Sequence, residues 1–219
     1  MKTLFKTSII LVLLTALSSC LGGSNTPEKL DVEKDFKLFE SKKFSIKVPD
    51  YLTETADLNE DAEMQMQNMF RETYMIVMAE SKDDFDFASE ILGVGNDSLS
   101  YTENYMNMQL ESMKEAFSYD VIKDKTTTVI NDMPAMIVEA HASMDDLNVA
   151  YIITTIESEH DIFYITCWTL TDRREKYFPS FYQSIETIEQ LEYDVESDDS
   201  GLQIDYDELL KELEESTGE

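Results

Sequence analysis

The chain has 219 residues, and its 46 acidic and 17 basic side chains give a formal charge of −29. A surface of that sign repels nucleic acid and phosphate head groups, which argues against a nucleic-acid-binding role. Two cysteines, Cys20 and Cys167, are too few for a disulfide-built scaffold.

The N-terminus reads MKTLFKTSIILVLLTALSSC. Lys2 and Lys6 form a positive n-region, and the apolar run from Ile9 to Leu17 follows as an h-region, the order of a secretory signal. The run falls short of the roughly 20 residues a mature membrane-spanning helix needs. Leu17-Ser18-Ser19-Cys20 resembles the lipobox of bacterial lipoproteins: leucine, two small residues, cysteine. The resemblance implies diacylglycerol on the Cys20 sulfur, cleavage before Cys20 and acylation of the new amine. Small side chains admit the peptidase, and a thiolate is the nucleophile that accepts lipid. Two or more acyl chains hold a protein stably on a bilayer without spanning it. The alternative is an ordinary secretory signal with an incidental cysteine. Such a site would more often show Ala-x-Ala, and the nearest alanine is Ala16. Leu21 stands where inner-membrane-retained enteric lipoproteins carry Asp, which favours the outer membrane by analogy.

The signal covers residues 1–19, and losing Lys2 and Lys6 with it takes the charge from −29 to −31. Residues 20–35 read as a flexible tether, opening with Leu21-Gly22-Gly23-Ser24-Asn25-Thr26-Pro27. The folded domain is expected over 36–191. Phe36-Lys37-Leu38-Phe39 predicts a short edge strand, and Phe44-Ser45-Ile46-Lys47-Val48 a half-buried one stopped by Pro49. Glu63 to Asn68 alternates again, and Thr73 to Ala79 is continuously apolar, as a central strand should be. Ser100-Tyr101-Thr102-Glu103 fits a capping box, and Met106, Leu110, Met113 and Phe117 recur at helical spacing behind it. Thr126–Ile130 leads into an Asn131-Asp132 turn. Ala135–Ala142, Val149–Glu157 and Phe163–Thr169 then read as an antiparallel meander. Asp172 to Glu175 offers a cap for a last helix with Tyr177, Phe181, Tyr182 and Ile185 on one face; Pro179 should kink or restart it. Residues 192–219 form an acidic tail of disordered composition.

This order resembles the PsbP/Mog1/DcrB-like group of α+β sandwiches. The matching residues are Phe44 to Pro49, Ile130-Asn131-Asp132-Met133-Pro134-Ala135, Ile162 to Thr166 and Phe178 to Ile185. The group implies an antiparallel β-sheet packed with a long middle helix and a C-terminal helix, and accessory or binding roles rather than one shared reaction. One departure is Asp132, where the hairpin usually carries glycine.

Candidate chemistry is sparse. Cys167 in a strand-like run reads as a small buried hydrophobe; pairing with His160, seven residues earlier, is the catalytic alternative. Gly93-Val94-Gly95-Asn96 lacks the further residues of a phosphate loop and reads as a plain loop. Asp194-Val195-Glu196-Ser197-Asp198 spaces acids as a calcium loop does, but Asp199 stands where its turn needs glycine. Asp83-Asp84, Asp145-Asp146 and Asp198-Asp199 are common pairs in so acidic a chain and read as solvated. His141 and His160 lack a zinc context, so neither metal nor cofactor is expected. Met64, Met66, Met69, Met75, Met78, Met106, Met108 and Met113 read as core filling, with a plastic binding surface or soft-metal pocket as the alternative. The expectation is therefore a lipid-anchored, non-enzymatic envelope protein. It would be held to the membrane through Cys20 and bind an envelope protein partner, with an interaction role for the acidic tail as the alternative and a hydrolase as a weaker third.

Overall fold

The computed structural model describes residues 26–194, apart from Val94, Asp97, 117–118 and 145–146. The signal, Cys20, Phe117, Asp145-Asp146 and the tail beyond Asp194 lie outside the described residues.

Two antiparallel sheets carry the fold. Residues Phe36–Glu40 (β1), Phe44–Pro49 (β2) and Glu189–Gln190 (β10) form a three-stranded sheet ordered β1-β2-β10. The larger sheet has seven strands: Thr53–Glu54 (β3), Met64–Asn68 (β4), Thr73–Ser81 (β5), Tyr119–Ile130 (β6), Met133–Met144 (β7), Leu147–Glu157 (β8) and Asp161–Leu170 (β9). Their spatial order is β3-β4-β5-β9-β8-β7-β6, so β6 to β9 form a meander and β5 pairs with β9 across a long connection. The helices are Lys82–Leu92 (α1), Tyr101–Ala116 (α2) and Arg174–Ile185 (α3), the last entered through a 3₁₀ turn at Thr171–Arg173.

Side chains alternate across the large sheet and fill two cores. On one face Met64, Met66, Met75, Val77, Ile152, Phe163, Ile165 and Cys167 meet Phe44, Ile46 and Val48 of the small sheet and Phe178, Phe181 and Ile185 of α3. On the other, Met136, Val138, Ile153, Ile162 and Tyr164 meet Phe85 of α1 and Tyr105, Met106 and Leu110 of α2. Helix α2 thus lays the expected stripe on the sheet, and Ser100 Oγ accepts from the Glu103 amide at 3.2 Å to cap it. The methionines are core at Met64, Met66, Met75 and Met106, each 0–1% exposed. Met69 is the exception, exposed in the β4–β5 turn.

Four features depart from the sequence reading. Helix α1 follows β5 without a loop, and Ser81, the last residue of the strand, also caps the helix by accepting from the Asp84 amide. Gly93 closes α1 at φ 64°, so the glycine of the supposed loop is a left-handed C-cap. Strand β6 begins at Tyr119 rather than Thr126; its exposed Lys123 and Lys125 and two register shifts hid it, as charges and bulges do on an edge strand. Pro179 sits within α3 without restarting it, and no side chain caps that helix at Arg173.

Candidate functional site

The strands of the large sheet give the molecule two ends. One end holds the β6–β7 turn, the β8–β9 turn and the start of α1; the other holds the β4–β5 turn and the start of α3. An open groove of about 640 Å³ lies at the first end, lined by Asn131, Asp132, Met133, Pro134, Glu157, Ser158, Glu159, Glu189 and Gln190. Four of these nine residues are carboxylic acids, which makes the groove a site for cationic groups.

Each wall has a local cause. Asn131 and Asp132 both hold positive φ, 47° and 66°, the geometry of a two-residue hairpin turn. Asn131 Nδ2 also donates to the Ile188 carbonyl at 2.7 Å, tying the turn to the chain leading into β10. In the β8–β9 turn, Ser158 Oγ donates to the Asp161 carbonyl at 2.8 Å and accepts from the Asp161 amide at 2.9 Å. The Glu159 amide donates to Gln190 Oε1 at 2.8 Å, joining that turn to β10. Lys82, at the start of α1, pairs with Glu157 at 3.1 Å and neutralises one of the four acids.

Behind the β8–β9 turn sits a buried ion pair. Asp161 is fully buried, and Lys43 Nζ, 6% exposed, lies 3.1 Å from it. Tyr193 closes over the pair: its hydroxyl donates to Asp161 Oδ2 at 2.6 Å, and its ring lies 5.6 Å from the Lys43 ammonium. The Leu191 amide donates to the Lys43 carbonyl at 2.8 Å, and Tyr193, two residues past the expected domain end, thus docks onto the domain. A buried carboxylate needs such partners, because removing water from a charge is compensated only by pairing and hydrogen bonds. His160 stands at the edge of this group, edge-on to the Tyr193 ring at 6.2 Å and 3.7 Å from Glu159.

The remaining titratable groups do not converge on the groove. Burial raises the Glu80 pKa above its ordinary value, and the Tyr105 hydroxyl donates to that carboxylate at 3.0 Å beneath α2. Burial lowers the His141 pKa, with Arg174 adding to the effect, and His141 lies on β7. Burial pushes the fully enclosed Cys167 thiol well above its usual range, which makes it inert at neutral pH. Cys167 lies six residues along β9 from Asp161, about 20 Å at strand rise. The structure therefore does not bring Cys167 and His160 together, and the structural reading of this thiol is the one that fits. Asp83 and Asp84 occupy the first turn of α1, where carboxylates favour the helix dipole. Among the described residues no group of three His, Cys, Asp or Glu side chains could hold a metal ion. Among the same residues no helix is long and apolar enough to cross a membrane. The calcium-like spacing begins at Asp194 and otherwise falls outside the described residues, as does Cys20.

No protein-family model matches the chain, and no curated protein is detectably similar in sequence. Solved structures are similar. The solution structure of cyanobacterial PsbP from Synechocystis sp. PCC 6803 aligns with a TM-score of 0.54 at 8% identity, over 78% of this chain and 99% of that one. The fold is a PsbP-like sandwich. LpqN of Mycobacterium tuberculosis, involved in cell envelope biogenesis, aligns at 0.48 and 8% identity over 68% of this chain and 83% of its own. A protein of Bacteroides thetaiotaomicron VPI-5482 aligns at 0.49 and 13% identity over 72% of this chain and 49% of its own. In the PsbP-like domain described here, the groove and the buried pair stand together at one end of the sheet. Neither was readable in the sequence. Lys43 and Asp161 are far apart along the chain, and no periodicity marks their pairing.

Proposed function

We propose that this chain is a lipid-anchored protein of the bacterial cell envelope whose PsbP-like domain works as a non-enzymatic accessory module. The groove at the β6–β7 and β8–β9 turns is its binding surface, and a cationic segment of another envelope protein is its ligand. The observation that supports this reading is the acidic rim of Asp132, Glu157, Glu159 and Glu189 on a groove walled by two turns tied to strand β10. A rim of one sign steers and selects an oppositely charged partner. The anchor rests on the lipobox at Leu17 to Cys20 and carries the domain to its partner's compartment.

A photo-crosslinking residue placed at Glu189 in the native host tests the reading. A discrete adduct with an envelope protein is expected, and neutralising Asp132 and Glu159 to their amides should abolish it. An adduct that survives neutralisation, or no adduct at Glu189 while residues on β6 crosslink efficiently, would overturn the groove assignment. The same experiment with residues 195–219 deleted separates the groove from the acidic tail, because binding through the groove keeps the adduct.

A further inference from the structure

The end of the sheet opposite the groove carries a different surface. The β4–β5 turn projects Met69 and Phe70, which are 68% and 97% exposed. Two adjacent large apolar side chains in water at a turn form a small patch of the kind that marks interaction sites when other features converge on it. Arg173 Nη1 donates to the Phe70 carbonyl at 3.4 Å, and Arg71 and Arg174 stand at the same end; these three are all the arginines in the chain. With Lys176 they offset Glu28, Glu72, Asp172 and Glu175 around the β4–β5 turn, so the neighbourhood of Met69 and Phe70 gathers much of the basic charge of a chain of charge −29. An anionic bilayer would repel most of this protein, and least at this arginine-rich turn.

The tether arrives at the same place. Glu28 pairs with Arg71 at 2.7 Å and with Lys176 at 3.4 Å, and its amide donates to the Lys176 carbonyl. Cys20 is eight residues before Glu28, so a fully extended chain puts it no more than about 29 Å away. We propose that the Met69-Phe70 turn is a second membrane contact, inserting into the interface of the bilayer that holds Cys20. Membrane-facing contact at this end turns the acidic groove outward, since β9 separates the two ends by about 30 Å. The inference rests on the lipid-anchor reading for its geometry, but the turn's affinity for lipid can be measured without the lipid.

The test uses the mature chain from residue 20, both lipidated and as Cys20→Ser, with vesicles of phosphatidylethanolamine and phosphatidylglycerol. In a Phe70→Trp variant, adding vesicles should shift the new indole's emission to the blue, and brominated acyl chains should quench it. Trp168, half-buried against Tyr74 beside the same turn, is replaced by phenylalanine in each tryptophan variant so that only the introduced indole reports. A Val129→Trp variant marks an exposed position at the groove end and should not respond. Replacing Met69 and Phe70 by serine should weaken vesicle binding of the Cys20→Ser chain by about tenfold or more. If the Phe70→Trp indole is not quenched in the lipidated, vesicle-bound chain, the turn does not insert and the proposal fails while the anchor stands. If the Val129→Trp indole is quenched instead, the orientation is reversed and the proposal also fails. If native Cys20 proves unmodified, the anchor reading fails, and quenching of the Phe70→Trp indole in the Cys20→Ser chain still decides for or against insertion of the turn.

Discussion

Asp132 holds a left-handed backbone, φ 66°, at the second position of the β6–β7 turn. For a residue with a Cβ this conformation costs free energy that glycine avoids. Asp132→Gly should therefore stabilise the domain by about 0.5–1 kcal/mol, read as a raised urea midpoint with an unchanged slope. Neighbouring Asn131 is different, because its amide holds the Ile188 carbonyl and a glycine there would lose that bond. A pH effect arises at His141. Burial lowers its folded pKa below the unfolded value, so the unfolded chain binds its proton first as pH falls. The stability this contributes is fully present above the ordinary histidine pKa of about 6.5 and is lost as pH drops through the lowered folded value. Urea titrations from neutral pH downward should show that loss, and His141→Gln should flatten the part of the slope just below neutrality. A slope in that window unchanged by the substitution would contradict the assignment.

The elements were legible wherever one physical signal dominated. Val149–Glu157 and Phe163–Thr169 carry long apolar runs because both faces of β8 and β9 are covered, and both strands stand close to the expected bounds. Helix α2 announced itself through Ser100 and the Met106–Leu110 stripe. Helix α1 did not, because Ser81 serves two elements at once and, of its described side chains, only Phe85 is buried in the core. The cap is nonetheless open to measurement. Ser81→Ala removes the 3.0 Å bond to the Asp84 amide and should cost about 1 kcal/mol, with faster hydrogen exchange confined to the first turn of α1. The two-residue strands β3 and β10 are too short to leave a pattern at all. They exist because their partners β4 and β2 offer free edges.

At the scale of the molecule, the PsbP-like sandwich has an apolar turn flanked by arginines at one end and an acidic groove at the other. The fold class was readable because alternation and helical spacing are local. The groove was not, because it is assembled from two turns and the short strand β10, which only the sheet topology brings together. Leu17 to Cys20 only resembles a lipobox, and the proposed function turns on it: with Cys20 acylated, the apolar turn would meet a bilayer and the groove would face a partner. Mass spectrometry of the N-terminal peptide from native membranes tests this most directly. The account predicts a mature chain that begins at Cys20 and carries diacylglycerol on its sulfur. A free thiol at that position, or a chain cleaved elsewhere, would contradict it.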